Sequence, residues 1–289
     1  MHFRKSRALS AGGVAAAALL AAGIPAAFAG PGGSHGAPGA ITCTGGTQSA
    51  PTLIGSGTYS SLTVSGICRV PAGATVTVTG SVRVARGGVL DTITQSTVAI
   101  MGNVTVQKRG IFALGCMTDT ACATQADQSV AGSVTAAQPL SIYLHGADIG
   151  GNLTINGGGP GLDCVTDGYL TEYGTGPQTG GGDLPIKDSW IGGNVHVSGW
   201  QGCWVGLIRN MIGGSVLVQN NAVNLDPANG QGTDSTEIVN NSIGGNLQCR
   251  RNTPAAQYGD AVEGAPLAYG PNHVGGQTTG ECVALLSRS

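Results

Sequence analysis

The stretch Ile212-Gly213-Gly214-Ser215-Val216-Leu217-Val218 decides the fold, because the chain repeats it. Close copies begin at Ile149, Ile191 and Ile243, each with two glycines followed by Asn and then by Leu or Val. Weaker copies begin at Val78, Ile100 and Val130, and a degenerate copy begins at Val274. An internal repeat of this kind indicates an architecture of stacked, similar units.

The second glycine of each copy marks a register from which positions are numbered. Positions −2, +2 and +4 are nearly always Ile, Val or Leu, position +1 is Asn, Ser or Gln, and position +3 is mixed. This alternation has the period of a β-strand with one buried face. The register glycines lie at positions 80, 102, 132, 151, 193, 214, 245 and 276, so the steps between them are 22, 30, 19, 42, 21, 31 and 31 residues. The basic unit is therefore about 20 residues, and some units carry insertions.

A unit of this length with short strands and glycine corners is typical of one coil of a parallel β-helix. One coil is not stable alone, because burying three aliphatic side chains contributes roughly 5–9 kcal/mol, whereas ordering about 20 residues costs roughly 20–40 kcal/mol of backbone entropy. Stacked coils stabilise one another through shared hydrogen bonds and a shared core. We predict an all-β fold, a single-stranded right-handed parallel β-helix of about eight or nine coils with lateral loop insertions. Its inward column is predicted to hold Val82, Val104, Leu153, Val195, Val216 and Leu247.

The composition along the chain predicts three segments. Residues 1–29 have a basic start, an apolar stretch and the Ala27-Phe28-Ala29 cleavage pattern of a secretory signal peptide, with a membrane anchor as the alternative. Residues 30–42 are rich in Gly and Pro and are expected to be a flexible lead-in, and residues 43–289 to form the β-helix domain. We therefore expect a secreted, extracellular protein with no membrane span after signal cleavage.

Eight cysteines follow the signal peptide, as suits an oxidising compartment. Eight cysteines allow many connectivities, so the pairing is argued from neighbourhood in the sequence. The predicted pairs are Cys43 with Cys68, Cys116 with Cys122, Cys249 with Cys282 and, by what is left, Cys164 with Cys203. A zinc site is the alternative, but the cysteines lack the Cys-x-x-Cys spacing and no histidines cluster near them.

The insertions are the places where a site is expected, because loops vary while coils form the scaffold. The 42-residue step is interpreted as one long insertion at about 156–188, and later insertions at 221–235 and 252–266 are expected to leave on the same side. The long insertion carries acidic residues, of which Asp163, Asp167 and Asp183 are weak calcium candidates. The alternative to a calcium site is that these loop carboxylates are simply solvated. We predict no metal or other cofactor.

Aromatic residues provide the ligand-binding candidates. Trp190, Trp200 and Trp204 flank one repeated strand and are candidates for stacking on sugar rings, as are Tyr169 and Tyr173 in the long insertion. Packing of a loop against the coil beside it is the alternative for the tryptophans. Arg86 and Lys108, with Arg83 and Arg109 nearby, are expected to form a small basic strip on adjacent coils. At a formal net charge of −2 the composition does not indicate nucleic-acid binding.

The repeats at Ile191-Gly192-Gly193-Asn194-Val195 and Ile243-Gly244-Gly245-Asn246-Leu247 resemble those of uncharacterised secreted bacterial proteins with right-handed β-helix folds. The expected shape is also similar to that of pectate lyases and polygalacturonases. None of the polygalacturonase motifs Asn-Thr-Asp, Asp-Asp, Gly-His-Gly or Arg-Ile-Lys matches here, and the outward +3 row contains no acid. Bactofilin-like polymers have similarly short, glycine-spaced coils but lack a signal peptide and disulfides.

Two functions remain open from the sequence. The first is a disulfide-stapled, non-catalytic cell-surface or matrix protein with a structural or binding role. The alternative is a polysaccharide-active lyase or hydrolase, or a carbohydrate-binding protein, that uses the loop face at 156–188. Cell-wall or extracellular polysaccharide is the expected partner, and self-association is a further possibility. A convergent Asp/Arg/Lys cluster on one face favours the alternative, and scattered carboxylates favour the structural role.

Overall fold

The computed structural model describes residues 38–116, 128–159, 183–223, 236–258 and 270–285. Residues Ala37–Ser289 form one compact unit. Within the described residues the chain passes repeatedly through three parallel sheets, which it visits in the order A, B and C. Each strand pairs in parallel with the equivalent strand one coil before and one coil after. This arrangement confirms the predicted all-β parallel β-helix.

Sheet A consists of β1 (Ala40–Cys43), β4 (Ser61–Val64), β7 (Val82–Val84), β10 (Val104–Val106), β13 (Val134–Ala137), β16 (Leu153–Asn156), β19 (Val195–Ser198), β22 (Val216–Gln219), β25 (Leu247–Arg250) and β27 (Thr278–Gly280). Sheet B consists of β2 (Thr52–Leu53), β5 (Ile67–Arg69), β8 (Val89–Asp91), β11 (Ile111–Gly115), β14 (Ser141–His145), β17 (Asp183–Lys187), β20 (Trp204–Ile208) and β23 (Thr236–Val239). Sheet C consists of β3 (Gly57–Tyr59), β6 (Thr75–Val78), β9 (Thr97–Ile100), β12 (Gln128–Val130), β15 (Asp148–Ile149), β18 (Trp190–Ile191), β21 (Met211–Ile212), β24 (Ser242–Ile243) and β26 (His273–Val274). A short 3₁₀ helix, Glu281–Leu285, follows β27.

The repeated strand lies in sheet A, and its register is the predicted one. The inward +2 residues pair from coil to coil in one continuous row: Val82, Val104, Val134, Leu153, Val195, Val216 and Leu247. All of them are buried, whereas the +3 residues between them point outward. The alternation of apolar and polar residues in the sequence therefore reports directly which face of sheet A is the core.

The glycine pair exists because two coils approach closely at the corner between sheets C and A. A Cβ atom on Gly192 would lie 2.5 Å from the carbonyl oxygen of Gly150 in the preceding coil. A Cβ atom on Gly193 would meet the side-chain oxygen of Asn152 and lie 2.8 Å from the carbonyl oxygen of Gly151. Any larger residue would separate the coils, so both positions require glycine.

The polar residue after the glycine pair forms a ladder along this corner. Its side-chain oxygen accepts a hydrogen bond from the backbone N–H of the equivalent residue in the next coil. Asn152 Oδ1 accepts from Asn194 N at 2.8 Å, and Asn194 Oδ1 accepts from Ser215 N at 2.8 Å. Ser215 Oγ then accepts from Asn246 N at 3.0 Å, and Asn246 Oδ1 accepts from Gln277 N at 2.7 Å. Position +1 is therefore Asn or Ser because these side chains supply the acceptor.

A second ladder is buried at the corner between sheets B and C. Asn210, Asn241 and Asn272 repeat at the same corner, and each accepts from the backbone N–H of the residue one coil earlier. Their amide nitrogens donate to the backbone carbonyls of Ile186, Leu207 and Ile238 respectively. These asparagines are at most 4% exposed, so the ladder satisfies backbone groups that water does not reach.

From β8 to β23 both faces of sheet B are largely buried, unlike those of sheet A. Its inward residues, such as Phe112, Ile142 and Leu184, belong to the main core. Two smaller apolar clusters, one around Ile111 and one around Ala113, form on its other face.

The structure corrects three predicted boundaries. Ala40–Cys43 is a strand paired with β4, so the coil begins before the end of the predicted lead-in at 30–42. The insertion predicted at 156–188 is shorter, because Asn156 ends β16 and Asp183–Lys187 is β17, whose Leu184 and Ile186 point into the core. Residues of the predicted insertion at 252–266 also continue the coil, since bridges join Ala222 to Thr253 and Glu237 to Gln257. The predicted signal peptide at 1–29 lies outside the described residues.

Disulfides close the two ends of the described β-helix. Cys43 pairs with Cys68, and Cys249 with Cys282 in the C-terminal 3₁₀ helix, both as the sequence predicts. Cys116 and Cys203 are also disulfide-bonded. The partners predicted for them, Cys122 and Cys164, lie outside the described residues. Disulfides of this kind fit an extracellular protein.

Candidate functional site

The three tryptophans do not form a common platform, because they lie on different sides of the coil. Trp190 is in sheet C and is 45% exposed, with its ring lying over Gly192. Trp200 follows sheet A and is completely buried, so it packs within the core and cannot stack on a ligand. Trp204 is in sheet B, where Lys187 Nζ lies 4.9 Å from the centre of its ring. Successive strands of one coil face different directions, and proximity in sequence therefore misled the prediction.

The other predicted site residues do not assemble within the described chain. Asp163, Asp167, Tyr169 and Tyr173 lie outside the described residues. Asp183, the remaining calcium candidate, starts β17, where its backbone carbonyl accepts a hydrogen bond from Ser141 at 2.8 Å. Across the described ranges, no group of three or more His, Cys, Asp and Glu side chains is arranged to hold a metal ion.

A charged cluster links three coils beside sheet B. Asp188 accepts two hydrogen bonds from Arg209, at 2.7 and 2.6 Å, and its Oδ2 atom lies 2.9 Å from Nε2 of the buried His145. Burial raises the pKa of the Asp188 carboxyl, but the hydrogen bonds to His145 and Arg209 and the charge of Arg209 outweigh burial and lower that pKa. Asp188 and Arg209 occupy equivalent corner positions with positive φ in successive coils. The cluster therefore ties neighbouring coils together.

A surface groove of about 190 Å³ lies at the corner that follows sheet A. Its polar lining residues are Lys108, Arg109, Gln138 and Gln201, and all four are exposed at the surface. Its remaining lining residues are Pro139, Leu140, Gly157, Gly158 and Gly199. The groove thus combines cationic and amide hydrogen-bond donors with a partly apolar lining, and none of these nine residues is acidic.

The groove exists because two neighbouring coils lack a side chain at one corner position. Gln138, Gly157, Gly199, Asn220 and Arg251 succeed one another there, and each has a positive φ between 52° and 68°. Hydrogen bonds from the backbone N–H groups of the first four residues to the following coil hold this row in register. Where the flanking coils present Gln138 and Asn220, the two central coils present only glycine. The absent side chains leave the space that forms the groove.

Sequence reasoning found part of this site. It placed Arg83, Arg86, Lys108 and Arg109 on adjacent coils, but it did not connect them with Gly157 and Gly199. The available signal was that both glycines lie two residues after the inward +4 position of their repeats, Ile155 and Val197. The same position holds glutamine or asparagine in the flanking coils, and a comparison of the coils would have shown that these two lack a side chain there.

Comparison with known proteins adds no assignment. The chain matches no protein-family model, no curated protein and no solved structure. The family resemblance of the repeats therefore remains a prediction beyond the parallel β-helix itself. Among the helices of the described residues, none is long and apolar enough to cross a membrane.

Proposed function

We propose that this protein is a secreted, non-catalytic, disulfide-stapled scaffold that binds an extracellular polysaccharide in the groove lined by Lys108, Arg109, Gln138 and Gln201. The groove itself carries this proposal. Its lining pairs apolar surface with side chains that hydrogen-bond to hydroxyl or carboxylate oxygens, which is the usual composition of a small-ligand site. The coils supply a rigid base, since the backbone at this corner is hydrogen-bonded from coil to coil.

The composition of the groove favours binding over bond cleavage. Glycoside hydrolysis commonly requires a pair of carboxylic acids that flank the scissile bond. The nine described lining residues include no Asp or Glu. The carboxylate of Asp188 is engaged by Arg209 and His145 beside sheet B. We therefore assign the charged cluster a structural role and the groove a binding role.

The position of Gly199 allows a direct test. Asparagine tolerates a positive φ, and a Cβ atom at Gly199 would make only ordinary contacts, at 3.7 Å from Gly157. Gly199→Asn should fold normally and fill the groove as Asn220 fills the next coil. Gly73→Asn is the matched control, because Gly73 also has a positive φ, of 75°, and open space around it, but lies between sheets B and C.

Binding is measured on a glycan array and then by calorimetry with the best ligand. We expect Gly199→Asn to weaken binding at least about tenfold, the equivalent of about 1.4 kcal/mol, and Gly73→Asn to leave it unchanged. Equal affinities of the two variants, or no glycan retained by the unmodified protein, would refute the proposal. Formation of new reducing ends or unsaturated sugars from the bound glycan would refute its non-catalytic part.

A further inference from the structure

Among the described residues positive charge is concentrated on one side of the coil, which the net charge of −2 conceals. Of its thirteen Lys and Arg residues, Arg4, Lys5, Arg7 and Arg288 lie outside the described residues, which leaves nine. Six of these nine belong to sheet A or to the corner that follows it, and together they are called the basic face: Arg83, Arg86, Lys108, Arg109, Arg250 and Arg251. All six side chains are exposed.

Among the described residues this surface carries one acidic residue, Glu281. The ten strands of sheet A contain no Asp or Glu, and neither do the described residues that connect sheet A to sheet B. Glu281 follows β27, where its carboxylate accepts hydrogen bonds from the backbone N–H and the side chain of Asn252. Within the described ranges none of the six cations forms an ion pair, whereas Arg69 and Arg209 on the sheet B side both do.

The basic face extends beyond the groove along the stacking direction. Arg83, Arg86, Lys108 and Arg109 belong to the neighbouring coils of β7 and β10, and Arg250 and Arg251 belong to the coil of β25. Five strand spacings separate β10 from β25, which at about 4.8 Å each is about 24 Å. Between the two groups of cations sheet A presents neutral polar side chains, including Asn156, Ser198 and Gln219, which are equivalent residues of three successive coils.

We infer that the ligand of the groove is an acidic polysaccharide, and that its chain runs along sheet A across the strands. This inference rests on the proposed function and adds the chemical class and the path of the ligand. The carboxylate or sulfate groups of the chain bind Lys108 and Arg109 at one end and Arg250 and Arg251 at the other. The neutral side chains between them hydrogen-bond to sugar hydroxyls. Sheet A strands contain no Phe, Trp or Tyr on which nucleic-acid bases could stack, which favours a polysaccharide over a nucleic acid.

The test compares polymers that share a backbone and differ in charge. Polygalacturonate is compared with its fully methyl-esterified form, and dextran sulfate with dextran, by biolayer interferometry against the full-length mature protein. Tight binding of polygalacturonate alone indicates carboxylate recognition, and tight binding of both charged polymers indicates recognition of any anionic sugar chain. Each result supports the inference. Equal binding of the neutral and charged forms, with the effect of Gly199→Asn retained, would overturn the inference and leave the proposed function standing.

Variants locate the path of the chain. Lys108→Ala with Arg109→Ala is expected to weaken binding of long polygalacturonate about tenfold, because each exposed ion pair contributes at most about 1 kcal/mol. Arg250→Ala with Arg251→Ala should weaken the long polymer similarly but leave a trigalacturonide bound in the groove unaffected. Lys187→Ala is the control, because Lys187 is a cation on sheet B that packs against Trp204. Loss of affinity in the control equal to that in the double variants, or equally tight binding of poly(dT), would mean unspecific attraction of polyanions and would overturn the inference.

Discussion

The buried asparagine ladder makes a quantitative prediction for the substitution Asn241→Ala. Asn241 Oδ1 accepts from Asn210 N at 2.9 Å and from Asn210 Nδ2 at 3.0 Å. Its own Nδ2 donates to Leu207 O at 2.7 Å and to Asn272 Oδ1 at 2.9 Å. The substitution removes all four hydrogen bonds from a corner where Asn241 is 0% exposed.

The expected loss follows from the group left without a partner. The backbone N–H of Asn210 loses its acceptor in a buried site, which costs about 1–3 kcal/mol. Each of the other three hydrogen bonds contributes about 0.5–1.5 kcal/mol net. We therefore expect Asn241→Ala to lower the free energy of unfolding by about 4 kcal/mol.

Asn246→Ala is the matched control on the exposed ladder. Asn246 Oδ1 also accepts a backbone N–H, that of Gln277 at 2.7 Å, but both residues are exposed. Water replaces the lost acceptor there, and we expect a loss of about 1 kcal/mol. The two variants are compared by urea unfolding followed by circular dichroism, where the difference corresponds to a midpoint shift of about 1 M or more. Equal midpoints would show that burial of the ladder does not contribute and would refute the reasoning.

Three further predictions concern the core, the charged cluster and the C-terminal disulfide. Val195→Asp should lower the free energy of unfolding by several kcal/mol because it buries a carboxylate among aliphatic side chains. His196→Asp on the outward face should change it by at most about 0.5 kcal/mol. Equal melting temperatures of the two variants would contradict the register. Because the pKa of Asp188 is lowered on folding, its contribution is present above the unfolded pKa of about 3.9 and is lost as the pH falls through the folded pKa. The melting temperature of the Asp188→Asn variant should therefore fall less steeply at acidic pH than that of the unmodified protein. The same dependence of melting temperature on pH in both proteins would contradict the ion-pair role. Replacing Cys249 and Cys282 by Ala removes a disulfide with a sequence separation of 33 and should lower the free energy of unfolding by about 3–4 kcal/mol. Backbone hydrogen exchange should accelerate first in residues 270–285. Equal acceleration in all described residues would show that the disulfide does not stabilise this end locally.

The fold was predictable because each coil repeats the same local constraint. The pair Gly192-Gly193, the polar Asn194 and the alternating Val195 and Val197 each have one physical reason. Those reasons recur in successive coils at the corner between sheets C and A. The end of the long insertion was not predictable in the same way. Leu184 and Ile186 continue the core of sheet B, but sheet B has no glycine pair to mark its strands. Its two buried faces also remove the alternation that identifies sheet A.

The buried ladder left a weaker signal in the sequence. Asn210, Asn241 and Asn272 recur at a spacing of 31 residues, which equals the steps between the later register glycines. Asparagine is common in turns for several local reasons, so this spacing gains meaning only when the coils are stacked. The groove was harder to predict, because it is formed by absent side chains at Gly157 and Gly199. A glycine in the sequence shows that a side chain is absent, but it does not show which neighbouring residues line the resulting space.

The charge distribution is the feature that the fold does not require. Coil stacking accounts for Arg69, which pairs with Asp91 at 2.8 Å, and for Arg209, which pairs with Asp188. It does not account for Lys108, since the equivalent corner position holds Gln138, Gly157, Gly199 or Asn220 in four other coils without loss of register. Exposed charges contribute little to stability, and like charges on neighbouring coils oppose it. A surface that gathers six of the nine described cations, none of them in an ion pair within the described residues, is therefore better explained by a ligand than by folding. Neutralising these cations should weaken binding without lowering stability.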